Sequence, residues 1–227
     1  MIPSHEIDVY LVDVCGTLVR DDTTLGLLRH HFAQTQKRPL RNVALRLMTA
    51  SWSPARLCFF VLEHLTGRHI LKRVLIKLLA GEPADALAQS ALQYSVYLLK
   101  ERRVASVWHL IEKAASEGRV LLTSASLEPI VACLADKIGA GYVASRLEQR
   151  GGVLTGRYAE DLTGRKEQAI VEKYGADALA GGVCAISDNF SDRVLLEKAS
   201  APYVVLHRKA HARRWRGVAA IFLRVDG

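Results

Sequence analysis

The hydrophobic positions of this chain change their period after the first strand-like segment. Residues 7–14 are a nearly continuous apolar run, which predicts a buried central strand. Between residues 21 and 113 no run is typical of a strand, and apolar residues recur at helical spacing. The clearest helical stripe is formed by Ile70, Leu71, Val74, Leu75, Leu78 and Leu79. Lys72, Arg73 and Lys77 lie off this stripe, so we expect them to face away from it.

After residue 113, short apolar runs alternate with helical segments. Strands are predicted at residues 119–123, 141–144, 183–187 and 203–206, and helices at residues 127–138, 165–174 and 193–199. Residues 147–158 predict a hairpin that turns at Gly151 and Gly152. The tail from residue 207 is basic, and we expect it to begin as a helix.

Alternating strands and helices predict an α/β protein with a Rossmann-like, doubly wound parallel sheet. The helical segment leaves the sheet directly after the first strand, at the end where open α/β sheets bind ligands. We therefore expect a core domain of residues 1–20 and 114–227. An inserted all-helical cap domain of residues 21–113 would cover the carboxyl ends of the strands.

The composition is that of a globular protein. The chain has 227 residues, 50% of them hydrophobic, which is enough for one full core with a smaller inserted domain. Its four cysteines form no Cys-x-x-Cys pair, which argues against a zinc motif and a disulfide framework. The N-terminal residues lack a basic segment followed by an apolar one, so no secretory signal is predicted and we expect a cytoplasmic protein.

Positive charge is concentrated in two places. The formal net charge is +8, and ten Lys or Arg lie between residues 29 and 77 against one acid, Glu63. A second cluster consists of Arg208, Lys209, Arg213, Arg214 and Arg216. Such patches attract phosphorylated substrates, another anionic partner or an acidic membrane surface, although an ordinary solvated helix face has the same composition. No clear nucleic-acid motif is present, and the pattern does not indicate an oligomeric state.

Polar residues stand where the predicted strands end. Asp13 ends the first strand, Ser124 follows the next one, Lys166 opens a helix, and Asp188 and Asp192 follow residues 183–187. Each alone has an ordinary explanation, a cap for the serine or an aspartate and a surface position for the lysine. Together they supply what phosphoryl transfer needs: a carboxylate nucleophile, carboxylates for Mg²⁺, and donors for the phosphoryl oxygens.

Four segments in this order resemble the motifs of the haloacid dehalogenase superfamily. Residues 13–18, Asp-Val-Cys-Gly-Thr-Leu, are similar to its motif I, normally Asp-x-Asp-Gly-Thr-Leu/Val. Residues 121–129, 164–166 and 186–192 look like motifs II, III and IV of the phosphoserine-phosphatase-like branch. The helical insert and the glycine hairpin are also similar to that branch, so the resemblance covers essentially the whole chain.

The resemblance implies a magnesium-dependent mechanism with defined metal ligands. Asp13 would be the nucleophile and a ligand of Mg²⁺, and Asp188 would be the second direct ligand. Asp192 would bind the metal through water or orient Lys166. The backbone carbonyl of Cys15 would complete the protein ligands.

The resemblance also implies how a small phosphorylated substrate is held. Ser124 and Lys166 would bind the phosphoryl group, with Ala125 beside them. Gly16 and Thr17 of motif I would line the same site.

Cys15 departs from the family pattern, in which the second Asp is the general acid and base. A thiol with an ordinary pKa near 8.5 is a poor substitute for either role. One hypothesis is therefore a Mg²⁺-dependent phosphatase or phosphotransferase of altered activity. Another is a dehalogenase-type hydrolase, which also lacks the second Asp. A third is a non-catalytic binding or scaffold protein whose basic cap holds an anionic partner or places it at a membrane surface.

Overall fold

A seven-stranded sheet lies at the centre of the protein. The computed structural model describes residues 7–34, 39–50, 53–54, 56–59, 63 and 70–225. The strands are β1 (Val9–Val12), β2 (Val120–Leu127), β3 (Gly141–Arg150), β4 (Val153–Glu160), β5 (Val183–Ser187), β6 (Ala201–Leu206) and β7 (Ile221–Arg224). Their order is β4-β3-β2-β1-β5-β6-β7, and all neighbours are parallel except β3 and β4. The predicted α/β fold with a mostly parallel sheet is confirmed.

Helices cover the sheet and fill the insert. The α-helices of the described residues are α1 (Thr23–Gln34), α2 (Pro39–Thr49), α3 (Ile70–Lys77), α4 (Ala84–Glu101), α5 (Ala105–Ser116), α6 (Glu128–Ile138), α7 (Lys166–Tyr174) and α8 (Arg193–Lys198). Short 3-10 helices span Ala176–Leu179, Phe190–Asp192 and Lys209–Trp215. The sequence also predicts a helix that opens at Ser53 and Pro54 and runs to residue 66, and half of these residues lie outside the described part of the chain. None of the described helices combines the length and the apolar character needed to cross a bilayer.

The two faces of the sheet belong to different apolar clusters because side chains alternate along each strand. Leu11 and Leu121 pack in one cluster with Ile170 of helix α7. Val12 and Leu122 point to the other face and join a larger cluster. The sheet is therefore buried on both sides, as a parallel sheet requires.

The helical insert shares its core with the sheet. Leu27, Leu75 and Leu87 of helices α1, α3 and α4 belong to the same apolar cluster as Val12. The insert is also hydrogen-bonded to the β3–β4 hairpin, because Gly81 N donates to the Leu154 carbonyl at 2.8 Å. Helix α5 packs against β1, β2 and β7.

The structure differs from the sequence prediction at three strands. Strand β2 continues through Leu127, and β3 joins the predicted strand at residues 141–144 with the first arm of the predicted hairpin. The tail begins with the 3-10 helix Lys209–Trp215 and then adds β7, which was not predicted. Strand β7 is a short edge strand whose side chains are mostly exposed, so it lacks the buried apolar pattern that marks the others.

Candidate active site

The turn after β1 is locked to the turn after β5. Asp13 N donates to the Ile186 carbonyl at 2.9 Å, which extends the pairing of β1 with β5 beyond the strand. Gly16 has φ of 74°, and a Cβ there would lie 2.2 Å from Asp188 Oδ2, so only glycine fits. Thr17 Oγ1 donates to Asp188 Oδ1 at 3.1 Å and accepts the Asp188 N–H at 2.9 Å. Two of the predicted carboxylates are thus delivered to one edge of the sheet.

Lys166 bridges two of the predicted carboxylates. Its Nζ donates to Asp13 Oδ1 at 2.7 Å and to Asp192 Oδ2 at 2.6 Å. Ser187 Oγ donates to the same oxygen of Asp192 at 2.7 Å. The lysine side chain is only 8% exposed, so the alternative of a surface lysine is wrong. Asp192 holds the ammonium against Asp13.

Asp188 has a neighbour that the sequence pattern did not indicate. His207 follows β6, and its Nε2 lies 2.7 Å from the Gly16 carbonyl and 3.3 Å from Asp188 Oδ2. Both are acceptors, so the ring hydrogen must be on Nε2. The signal that could have found this residue is its place directly after a parallel strand, the same signal that identified Asp13.

Ser124 lies inside β2, and helix α6 is capped by Leu127, so the alternative of a helix cap is wrong for Ser124. Its Oγ accepts the Ser126 N–H at 3.1 Å, which leaves the hydroxyl hydrogen for another acceptor. The next carbonyl, that of Ala125, accepts from Lys72 Nζ at 2.6 Å. The loop after β2 is therefore held from the cap side.

Cys15 points into a pair of hydroxyl groups. Its Sγ lies 2.9 Å from Ser126 Oγ and 3.0 Å from Thr23 Oγ1, and the threonine hydroxyl donates to the serine at 2.7 Å. Burial raises the pKa of the Cys15 thiol to about 11, and the charges of Asp22 and Asp13 act in the same direction. At neutral pH the group is a protonated thiol that can serve neither as a base nor as an effective acid.

The carboxylates of the site carry more negative charge than Lys166 balances. Burial raises the pKa of Asp13 to about 7, opposed by Lys166 and reinforced by Asp192 and Asp188. Burial also raises the pKa of Asp188, although His207 and Thr17 oppose the shift. A nearby cation would favour the ionised form of both carboxyl groups.

The side chains of the site fit Mg²⁺. Among the described residues, no three His, Cys, Asp or Glu side chains are grouped as a ready metal site. Asp192 Oδ2 is already bound by Lys166 and Ser187, so this residue orients the lysine. Asp13 and Asp188 offer the oxygen ligands that Mg²⁺ prefers, and Mg²⁺ commonly completes its shell with phosphate oxygens and water.

A cavity of about 740 Å³ connects these residues, and Asp13, Gly16, Ser124, Ala125, Lys166 and Asp188 all line it. Lys72 of helix α3 enters the same cavity. The sequence placed Lys72 off the apolar stripe of its helix but did not indicate what lies opposite that face. His211 and Arg214 line another part of the cavity. Of these two, only Arg214 had been singled out, as a member of the second basic cluster.

Several proteins of known structure share this fold. A protein of unknown function from Bordetella pertussis Tohama I has a similar structure, with a TM-score of 0.74, 16% identity, and coverage of 96% of this chain and 98% of that one. A structure of phosphoserine phosphatase as a phospho-aspartyl intermediate analogue has a TM-score of 0.60 and 19% identity, with 97% of this chain and 95% of that one covered. Cytosolic 5′-nucleotidase IIIB bound to cytidine has a TM-score of 0.58 and 15% identity, with 96% of this chain and 80% of that one covered.

No curated protein matched the sequence. The model of one protein family, described as haloacid dehalogenase-like hydrolase, matches residues 11–197 and so takes in all four motif-like segments. The chain belongs to the haloacid dehalogenase-like hydrolases.

Proposed function

We propose that this hydrolase is a Mg²⁺-dependent phosphatase or phosphotransferase that acts on a small anionic phosphate monoester through an aspartyl-phosphate on Asp13. The observation that most strongly supports this proposal is the buried Lys166 ammonium. It lies 2.7 Å from Asp13 and 2.6 Å from Asp192, in the cavity that Ser124 also lines. The similarity to a phospho-aspartyl intermediate analogue of phosphoserine phosphatase supports the same chemistry.

In the proposed reaction, the oxygen of Asp13 that Lys166 does not bind attacks the phosphorus. The bond from phosphorus to the leaving oxygen breaks, and that oxygen takes a proton from water. A second water, or an acceptor alcohol, then attacks the phosphorus and gives its proton to the hydroxide left by the first water. The bond from phosphorus to the Asp13 oxygen breaks, so inorganic phosphate or a new phosphate ester is released and the carboxylate is regenerated. Lys166 and Ser124 donate to the phosphoryl oxygens throughout. Mg²⁺ at Asp13 and Asp188 would neutralise phosphate charge.

Cys15 shapes the substrate range of this proposal. Because its thiol stays protonated and faces Ser126 and Thr23, the leaving oxygen receives no proton from a carboxyl group. General acid catalysis contributes roughly 100- to 10,000-fold to such steps. We therefore expect efficient turnover only with phosphates whose leaving groups are already acidic.

The first test measures Mg²⁺-dependent hydrolysis of 4-nitrophenyl phosphate, whose leaving group needs no acid. The parent protein should release nitrophenol, and Asp13→Asn should abolish the release. Asp136→Asn, which changes an exposed carboxylate on helix α6, is the matched control and should retain the parent rate. Equal activity of Asp13→Asn and the parent would remove Asp13 as the nucleophile, and an inactive parent would favour the scaffold hypothesis.

The second test restores the missing carboxyl group. Cys15→Asp should raise kcat on an alkyl phosphate by about 100-fold, the low end of general acid catalysis, and change 4-nitrophenyl phosphate turnover much less. An equal change for both substrates would show that protonation of the leaving group does not limit the parent protein.

We also propose that the chain is divided into a core domain and a cap domain. The predicted core is residues 1–20 and 114–227, with a cap of residues 21–113. The packing of helix α5 against β1, β2 and β7 favours a cap that ends before Ala105. In either form, helices α1, α3 and α4 would cover the cavity and select the substrate.

A further inference from the structure

One wall of the cavity is built by the segment that follows β6. His207, His211, Arg214 and Trp215 of this segment line the same cavity as Asp13 and Lys166, together with Phe190 of the turn after β5. We call His211, Arg214 and Phe190 the C-terminal wall. A volume of about 740 Å³ is typical of sites for whole small molecules and far exceeds the need of one phosphoryl group.

The C-terminal wall is anchored firmly. Trp215 is 3% exposed and packs in an apolar cluster with Leu196 and Val204. Its ring meets Phe190 edge-on, with the centroids 5.4 Å apart. Phe190 in turn lies between Asp188 and Asp192 in the sequence, so the wall and the candidate metal ligand share one short turn.

Arg214 is positioned by stacking and is not neutralised by an acid. Its guanidinium lies 5.6 Å from the centre of the Phe190 ring. Arg193 lies 5.7 Å from the same ring, but its Nε is paired with Glu197 at 2.6 Å. No ion pair among the described residues includes Arg214. A stacked guanidinium keeps its in-plane N–H donors available, and these match the oxygens of a phosphate.

The charged residues that line the cavity are unevenly distributed. Residues 199–225 contain no acid, whereas Asp21, Asp22 and Glu63 line the cap side. Asp21 is paired with Arg102 at 2.8 Å, and Glu63 accepts the Leu71 N–H at 2.9 Å. Arg20 and Lys72 also line the cap side, so that side is mixed in charge, whereas the basic residues of the C-terminal wall meet no acid from their own segment.

We propose that the C-terminal wall is a second anion-binding subsite and that the preferred substrate is a small bisphosphate. One phosphate would react at Asp13, and the other, on the leaving group, would be bound by Arg214 and His211. The substrate class rests on the proposed phosphatase function, but binding of the second phosphate can be measured without turnover.

The experiment compares two ligands that differ only in the second phosphate. Propyl phosphate and 1,3-propanediol bisphosphate are titrated calorimetrically into the Asp13→Asn protein in Mg²⁺ at fixed ionic strength. The bisphosphate should bind about 10-fold more tightly, the effect of one added charge-assisted contact. Adding Arg214→Gln should remove the preference, and Arg214→Lys should restore part of it. Arg213→Gln, an exposed arginine of the same segment that does not line the cavity, is the matched control and should keep it.

If neither the Arg213→Gln protein nor the Arg214→Gln protein binds the bisphosphate more tightly than propyl phosphate, the subsite proposal is overturned. An equal loss of preference in both variants would also overturn it, because this would show a diffuse charge effect. If the preference depends on Arg214 but the parent protein hydrolyses neither compound, the subsite stands and the phosphatase proposal fails. If propyl phosphate is hydrolysed but the bisphosphate is not preferred, the phosphatase proposal stands and the subsite proposal fails.

Discussion

Two lysine side chains of the described residues enter the cavity, and they are held in opposite ways. Lys166 of helix α7 donates to two carboxylates, at 2.7 and 2.6 Å. Lys72 of helix α3 donates to the Ala125 carbonyl at 2.6 Å and lies 3.8 Å from Asp161 Oδ1. Burial alone lowers the pKa of each ammonium, but Asp13 and Asp192 outweigh it for Lys166, whose pKa is raised. The pKa of Lys72 remains lowered.

This difference indicates that the Lys166 charge maintains the structure, whereas the Lys72 charge is available to bind an anion. Lys166 is part of a buried network that also fixes Asp13, so its charge is required even without substrate. Lys72 is bound mainly by neutral groups, and its charge is available to an anion in the cavity. It also links helix α3 of the cap to the segment around Ala125.

The largest effect is expected from removing Lys166. Lys166→Met leaves Asp13 and Asp192 buried without their shared cation, which should cost about 3–5 kcal/mol in the free energy of unfolding and at least 100-fold in kcat. Urea denaturation and steady-state kinetics measure both. Lys198→Met, which removes an exposed pair with Glu167, should change the unfolding free energy by less than about 1 kcal/mol. Equal stabilities of the two variants would contradict the buried network.

Mg²⁺ bound at Asp13 and Asp188, beside Lys166, should stabilise the folded protein, and this stabilisation should grow with pH. In the folded protein the pKa of Asp13 is raised from 3.8 to about 7, so between these values the folded state binds more protons than the unfolded state. Stability without metal therefore falls as the pH rises through this window. Because Mg²⁺ replaces the proton, its stabilisation, about 2.7 kcal/mol at 100 times Kd, should be larger at pH 8 than at pH 5.5.

Thermal unfolding with and without Mg²⁺ at both pH values measures this dependence. Ca²⁺ is a useful comparison, since it prefers more ligands than this donor set offers. A Mg²⁺ shift that is independent of pH would indicate that the ion binds away from Asp13 and Asp188.

Removing Lys72 should affect substrate binding more than chemistry. Lys72→Met should raise KM by about 10-fold, the equivalent of about 1.4 kcal/mol, and lower kcat by less than 3-fold, because Asp13 and Lys166 keep their contacts. Lys77→Met, an exposed lysine of the same helix, should behave like the parent protein. A collapse of kcat comparable to that of Lys166→Met would show that the two lysines have the same role.

The smallest effect is expected at Cys15, which also lines the cavity. Cys15→Ser keeps a neutral hydrogen-bonding group beside Ser126 and Thr23, so kcat should stay within about 3-fold of the parent value. The measurement is 4-nitrophenyl phosphate turnover across pH 6–9. A loss above 100-fold would show that the thiol takes part in the reaction.

Much of the site could be predicted from the sequence because parallel strands bring their carboxyl ends to one edge. Asp13 and Asp188 follow neighbouring strands β1 and β5, so their proximity follows from the order of the strands. Strand β7 could not be predicted in this way, since an exposed edge strand need not carry a buried apolar pattern. Lys72 was correctly placed off its helical stripe, but periodicity describes a helix relative to itself and not what packs across from it.

The sequence by itself determined the α/β architecture, the order of the motifs and the residues at the strand ends, because these depend on local patterns and on the direction of the chain. Only the tertiary structure decided that Asp192 orients Lys166, that Cys15 faces two hydroxyl groups, and that Lys72, His207 and Arg214 reach the same cavity. Those contacts join segments up to 191 residues apart in the sequence, as between His207 and Gly16. Burial, which sets the pKa values of the site, exists only once these segments have packed together.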